Sequence, residues 1–116
     1  MEMRLGDKGE GLAVGFLRKQ GYRIIKQNFR TRIGEIDVIA ADEETLVFIE
    51  VKTRESLQYG RPFEAVDRFK RKKIANVALQ YLKTLDEIPP CRFDIVSIYF
   101  EQGRPEFELI KDAFEV

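Results

Sequence analysis

The sequence of 116 residues contains no histidine and a single cysteine, Cys91. Without histidine, the chain cannot use Ser-His-Asp or Cys-His catalysis, and it cannot bind zinc or iron through imidazole. A single cysteine excludes an internal disulfide bond and a zinc site built on several thiolates. Acid–base or metal chemistry must therefore rest on carboxylates, lysines or tyrosines. Carboxylates without histidine suit hard ions such as magnesium or manganese.

Long apolar runs are also missing. No stretch approaches the roughly 18 residues of a membrane-spanning helix, and the first residues, MEMRLGDKGEG, lack the apolar centre of a signal peptide. We therefore expect a cytoplasmic protein that makes no membrane contact. Hydrophobic residues make up 44% of the chain and charged residues 34%, which permits a folded core. The length predicts one domain over residues 1–116.

The formal net charge is zero, but the charges are segregated along the chain. Residues 11–34 contain six basic residues and no acidic one, and RFKRKK at 68–73 has five basic residues in six. Residues 35–50 contain six acidic residues and no basic one. Each basic run by itself is typical of a solvated surface. Two such runs flanking an acidic segment favour a groove for a polyanion beside a metal site.

Hydrophobic periodicity predicts seven elements in the order α-β-β-β-α-β-β. The first helix covers residues 7–20 and ends at Gly21, and a long amphipathic helix with a break near its start covers residues 61–85. Alternation of apolar and polar residues predicts strands at 22–32, 34–40, 45–52, 92–100 and 107–111. This order indicates an α/β fold with a mixed sheet flanked by helices.

The second and third strands are predicted to form a hairpin with one apolar and one charged face. Pairing residue 41 with residue 46 places Asp37 opposite Glu50 and Glu35 opposite Lys52, and it keeps the apolar side chains together on the other face. Carboxylates gathered in this way repel one another, and a divalent cation would neutralise them. The alternative is an exposed face on which Glu35 and Lys52 form an ion pair without a metal.

Two helical residues could extend this charged cluster. Glu10 lies at the edge of the apolar stripe of the first helix, where it could reach the sheet or simply stabilise the helix start. Lys70 lies within the apolar stripe of the long helix. Its ammonium group could reach a phosphate near the cluster, or it could extend past the stripe into solvent.

Asp37, followed after a twelve-residue gap by EVK at 50–52, resembles the signature of the PD-(D/E)XK nucleases. The predicted order of elements is similar to the αβββαβ core of restriction-endonuclease-like proteins. Ile36 replaces the proline of the signature, at a position that tolerates substitution. From about residue 6 to residue 100, the sequence is closer still to the YraN-like family of this superfamily. The stretches that carry this resemblance are GDKGEGLA at 6–13, QGYRIIKQNFRTRIGEIDVIA at 20–40, LVFIEVKTR at 46–54, FEAVDRFKRKKI at 63–74 and RFDIVSI at 92–98.

The resemblance implies a role for each matching residue. Asp37 and Glu50 would bind a magnesium or manganese ion, with the Val51 carbonyl as a further ligand. Lys52 would orient or activate the attacking water and stabilise charge on the phosphate. Glu10 resembles a first-helix glutamate that supplements the metal site in Holliday-junction resolvases.

The resemblance assigns no role to Glu35, which we predict to be an auxiliary ligand or a support for the ligands. The basic residues predicted to contact nucleic acid are Arg30, Arg32, Arg54, Lys70 and Lys73. They would hold the phosphate backbone without reading base sequence.

These observations predict metal-dependent hydrolysis of phosphodiester bonds in DNA, in a structured or single-stranded form. One alternative is a nucleic-acid-binding module that keeps the nuclease fold with little or no catalysis and acts with a DNA-processing partner. Another is an interaction protein whose charged hairpin is an ion-pair network. The oligomeric state stays open, and the apolar strands near residues 95–100 could supply an edge for a homodimer.

Overall fold

A computed structural model of the chain describes residues 5–55 and 66–115, without the side chain of Asp7. These residues form a five-stranded sheet and two helices in the predicted order. The elements are α1 (Leu5–Lys19), β1 (Arg23–Thr31), β2 (Gly34–Asp42), β3 (Thr45–Arg54), α2 (Arg68–Leu82), β4 (Cys91–Glu101) and β5 (Arg104–Ile110). The predicted α/β fold is confirmed, and it is consistent with a restriction-endonuclease-like core.

The two helices end and begin at identifiable residues. After α1, Gly21 adopts a φ of 94°, a left-handed conformation that glycine takes without steric penalty. The long helix predicted from residue 61 begins only at Arg68, because the Asp67 side chain accepts the backbone N–H of Lys70 at 2.9 Å and so caps the helix. Residues 61–65 of that prediction lie outside the described part of the chain.

The strands lie in the order β1-β2-β3-β4-β5, with β3 and β4 parallel and the other neighbours antiparallel. The connection that contains α2 therefore crosses over between β3 and β4. Because β4 pairs on both sides, residues 95–100 themselves form no free edge, and of the strands near them β5 is the one that lies at an edge of the described sheet. The edges of the described sheet are β1 and β5.

Each face of the sheet carries one helix over its own apolar cluster. On one face, Ala13 and Leu17 of α1 pack with Val47 and Ile49 of β3. On the other face, Val77 and other residues of α2 pack with side chains that include Phe48, Ile39 and Ile95. The central strands are thus buried on both sides, so they are apolar on both faces over most of their length.

The β2–β3 hairpin has the predicted register near its turn and departs from it at the other end. Ala41 pairs with Leu46 and Val38 pairs with Ile49, as expected. The ladder stops at the second of these pairs, so the predicted oppositions of Asp37 with Glu50 and of Glu35 with Lys52 do not form. The next residues of β2 continue to pair with β1, and those of β3 continue to pair with β4. The two strands therefore fork.

Candidate active site

Asp37 lies at the fork between β2 and β3. Its carboxylate accepts the backbone N–H of Val51 at 2.8 Å, a donor that faces β2 where the ladder has ended. The residue is only 7% exposed. Its side chain thus satisfies a buried donor of the neighbouring strand, which explains why the hairpin opens at this point.

Three carboxylates meet at the fork. Glu10 of α1 and Glu35 and Asp37 of β2 each place one carboxylate oxygen so that the three oxygens lie within 4.8 Å of one another. Of the predicted ligands, the structure therefore brings these three together. Oxygen donors at this spacing match the ligand preference of magnesium, manganese or calcium. The chemistry of the donor set thus fits a hard divalent cation.

Gly9 allows α1 to carry Glu10 to the fork. A Cβ atom on Gly9 would collide with Oγ1 of Thr53, so the helix approaches β3 more closely than any other residue would permit. The glycine-rich stretch GDKGEGLA is a signal for a close contact of this helix, but periodicity does not identify the strand that the helix approaches. The glycine positions a neighbouring carboxylate and needs no contact with the metal itself.

Glu50 occupies a different environment from the other predicted ligands. Its carboxylate lies 3.4 Å from Nζ of Lys52 and 3.1 Å from Nζ of Lys70. Its side chain is 8% exposed, so the carboxylate is shielded from solvent, whereas Lys70 is 36% exposed and reaches solvent. Glu50 thus links the charged end of β3 to the first turns of α2. Its role as a metal ligand stays a prediction.

The charges at the fork shift the protonation equilibria in opposite directions. Burial and the charge of Glu50 raise the pKa of Asp37 to about 8, although the Val51 N–H opposes the rise. Burial and the neighbouring Lys70 lower the pKa of Lys52. Burial also acts to lower the pKa of Lys70, but its contacts with Lys52 and Glu50 outweigh that effect and raise it. Such divergent shifts are typical of functional sites.

A continuous groove exposes this cluster to solvent. Two adjoining cavities of about 250 and 300 Å³ share Glu35, Asp37, Glu50 and Lys70 in their walls. The first extends towards Lys73 at the α2 side, and the second extends towards α1 and the end of β3. The groove therefore runs past all three converging carboxylates.

Four of the five predicted phosphate-binding residues line the groove or contact a residue in its wall. Arg54, Lys70 and Lys73 line its walls. Arg30 is exposed and forms an ion pair of 2.8 Å with Glu35, and Arg32 is exposed between β1 and β2.

Val51 also lines the groove, and the prediction that its carbonyl is a ligand stays a prediction. The alternative Glu35–Lys52 ion pair is replaced by Arg30–Glu35 and Lys52–Glu50.

A second polar network, which no sequence pattern predicted, lies towards the hairpin-turn end of the sheet. Asp94, with no exposed side-chain surface, accepts the hydroxyl of Tyr22 at 2.7 Å and Nε of Arg92 at 2.9 Å. Arg92 also donates to Asp42 at 2.8 Å. Arg92 and Asp94 are two residues apart on one strand, which is a weak signal that they share a face. Tyr22 is 72 positions away from Asp94 in the chain, so no local pattern indicates their contact. The network joins the start of β1 to β4 and to the end of β2.

Comparison with known proteins gives the family. The chain matches the uncharacterised protein family UPF0102 over residues 9–98. A UPF0102 protein of Geobacter metallireducens is 48% identical over 113 residues, which cover 97% of this chain and 93% of that protein. The chain belongs to the UPF0102 family. A UPF0102 relative from Symbiobacterium thermophilum is 49% identical over 98% of both chains, and one from Syntrophus aciditrophicus is 47% identical over 98% of this chain and 91% of its own.

Membership of UPF0102 confirms the resemblance to the YraN-like family. The matched residues contain Glu10, Glu35, Asp37, Glu50 and Lys52, so the whole charged cluster lies within the UPF0102 region. The relatives are known as UPF0102 proteins, a name that states no activity. Among the described residues of this UPF0102 protein, no helix is long and apolar enough to cross a membrane.

Proposed function

We propose that this UPF0102 protein hydrolyses phosphodiester bonds in DNA with the help of magnesium or manganese. The observation that carries the proposal is the convergence of Glu10, Glu35 and Asp37, from two separate elements, beside a lysine pair. A fold gains no stability from bringing like charges together at a partly buried point. A bound divalent cation would account for the arrangement.

The carboxylates would hold the ion, which would supply charge neutralisation at the phosphate and lower the pKa of a bound water. Glu10, Glu35 and Asp37 provide the ligand oxygens. Asp37 must lose its proton before it binds, because its raised pKa keeps it largely protonated at neutral pH in the metal-free protein. The Val51 N–H holds one oxygen of Asp37 and so fixes the orientation of its carboxylate at the fork.

The two lysines at Glu50 are suited to different tasks. The lowered pKa of Lys52 increases the fraction of neutral amine, which can take up a proton from an attacking water, whereas the charged form can orient that water through Nζ. Lys70, whose pKa is raised, stays an ammonium group and can bind a phosphate oxygen. Glu50 holds both Nζ atoms beside the groove.

The groove would bind the nucleic-acid backbone by charge. Lys73 and Arg54 lie towards its two ends, with the carboxylate cluster between them. Binding through such residues should weaken steeply as salt is added, because each phosphate contact releases condensed counterions. This arrangement positions a strand and does not specify its sequence.

One observation favours a second function. Glu50 is already neutralised by Lys52 and Lys70, so it need not be a ligand. A UPF0102 protein with such a site could bind nucleic acid beside a DNA-processing partner while hydrolysing it slowly or not at all. The basic groove serves both functions equally well.

Metal titration tests the site. Manganese is titrated calorimetrically into the wild-type protein, into Asp37→Asn and into Asp86→Asn, which removes an exposed acidic residue after α2. We expect binding in the wild type and in the Asp86 control and strong weakening in Asp37→Asn. Absence of binding to the wild type at millimolar manganese would refute the metal-dependent function.

Cleavage of labelled DNA tests the activity. Duplex, single-stranded, flap and four-way substrates are incubated with wild type, Lys52→Ala and Glu50→Gln in the presence of manganese. We expect cleavage of at least one substrate by the wild type and loss of that cleavage in Lys52→Ala. Binding without cleavage on every substrate would favour the binding module, and cleavage that survives both substitutions would place the activity elsewhere.

A further inference from the structure

Phe69 is an exposed aromatic residue in the first turn of α2. It is 79% exposed, the highest value among the exposed large hydrophobic residues of the described chain. Its neighbours in sequence are Arg68 and Lys70, and Arg71, Lys72 and Lys73 follow. An apolar ring kept in solvent within a basic run contributes nothing to either core cluster.

Helical geometry places Phe69 at the rim of the groove. Residues four apart lie about 40° apart around a helix, so Phe69 is on the same side of α2 as Lys73, one turn nearer the helix start. Lys73 lines the groove, and its side chain lies against Gly34 at the beginning of β2. Lys70, the next residue, contacts Glu50. The ring therefore projects beside two lysines that face the groove.

We infer that Phe69 is a stacking platform for an unpaired nucleobase whose backbone lies in the groove, an inference that rests on the proposed nucleic-acid function. Bases stack on exposed aromatic rings while nearby cations hold the phosphates, which is the usual arrangement in proteins that bind single strands. In a duplex, the faces of the bases are already stacked on one another. Phe69 therefore favours single strands, or unpaired segments of structured DNA, over continuous duplex.

The surrounding charge distinguishes this partner from an apolar protein surface. A protein docking on Phe69 would have to desolvate the adjoining basic side chains or supply acidic groups for them. Each nucleotide of a single strand supplies both a flat base and a phosphate. This combination matches a single aromatic ring surrounded by basic side chains. The chemistry at this rim therefore points to a nucleotide.

A single-tryptophan variant provides a direct test. The chain contains no tryptophan, so Phe69→Trp introduces the sole indole fluorophore at an exposed position where the fold should tolerate it. In the presence of EDTA, the protein is titrated with a short oligothymidylate, with an abasic strand of the same length and with a long duplex. We expect strong quenching by the oligothymidylate and little quenching by the abasic strand or the duplex. Equal quenching by the base-bearing and abasic strands would overturn the inference.

Binding measurements on the native aromatic residue give a second test. By fluorescence anisotropy with labelled strands, Phe69→Ala should bind oligothymidylate roughly tenfold more weakly than wild type and should bind the abasic strand with little change. Phe69→Tyr should restore most of the affinity. Ile88→Ala, which removes another exposed apolar residue outside the basic run, serves as the control and should bind as wild type. Unchanged affinity in Phe69→Ala would overturn the inference.

The outcomes separate this inference from the proposed hydrolysis, because the binding tests exclude metal. Manganese-dependent cleavage by the wild type together with unchanged single-strand binding in Phe69→Ala would refute stacking and leave hydrolysis in place. Base-dependent quenching without cleavage of any substrate would support stacking and refute hydrolysis. Failure of the wild type to bind any strand in EDTA would refute stacking, and failure to cleave any substrate with manganese as well would refute both.

Discussion

Asp37 carries a protonation equilibrium that should be measurable as a pH-dependent stability of the metal-free protein. Burial and the charge of Glu50 raise its pKa from the ordinary 3.8 to about 8. At neutral pH, the folded protein therefore holds a proton that the unfolded chain has released. The resulting contribution to stability is fully present below the unfolded pKa, and it declines as pH rises until it is lost above the folded pKa.

The size of the effect follows from linkage. One proton taken up on folding changes the free energy of unfolding by about 1.4 kcal/mol per pH unit, and the whole shift in pKa corresponds to a change on the order of 5 kcal/mol. Histidine normally dominates titration between about pH 5 and 8. This chain has none, so few other groups should mask the titration of Asp37 in this range.

The assay is urea unfolding in EDTA at several pH values between about 5 and 8. Wild type is compared with Asp37→Asn, which is uncharged and keeps an oxygen that can accept the Val51 N–H. The stability of the wild type should fall with rising pH by up to about 1.4 kcal/mol per unit more than that of the variant. The Asp86→Asn control should follow the wild type. If the free energies of unfolding of wild type and Asp37→Asn differ by the same amount at every pH in this range, the raised pKa of Asp37 is refuted.

Three further substitutions test other parts of the structure. Gly9→Ala places a Cβ atom against Oγ1 of Thr53, so it should weaken manganese binding in calorimetry by displacing α1, and adding Thr53→Ala should recover part of the loss. Ser97 is 1% exposed, and its hydroxyl has no hydrogen-bond partner among the described residues. Ser97→Ala removes that hydroxyl, so in thermal unfolding the variant should be as stable as wild type or more stable by up to about 1 kcal/mol. A loss of stability would contradict this. Arg92→Met leaves the carboxylate of Asp94 without its ion pair and should lower stability in urea by about 3 kcal/mol while manganese binding is retained. Lost manganese binding in a folded Arg92→Met variant would show that the network also supports the site.

Alternation predicted the strands, the charged face and the register near the hairpin turn, because one side of each strand had to meet an apolar core. The same rule failed at Asp37, since it assumes that a ladder continues to the ends of both strands. A side chain that accepts the Val51 N–H replaces a ladder bond, and periodicity carries no signal of this exchange. The predicted register near the turn, Val38 with Ile49, is confirmed.

Contacts between segments that are distant in the chain also could not be predicted from the sequence. The position of Lys70 in an apolar stripe suggested a special role, but its choice of Glu50 as a partner depends on how α2 crosses the sheet. Tyr22 and Asp94 likewise meet because the end of α1 packs against the sheet, a result that local sequence does not encode. The residue types at the site were thus predictable, and their pairings were not.

The fork has a consequence for how the protein responds to its surroundings. Its carboxylates come from α1 and β2, so they form one binding point only when the helix has docked on the sheet. An ion held there would bind the native chain and not the unfolded one, and each tenfold rise in its concentration above the dissociation constant would add about 1.4 kcal/mol to stability. The survival of the folded chain would then depend on the supply of divalent cation, so the protein would persist longest under the conditions in which it can act.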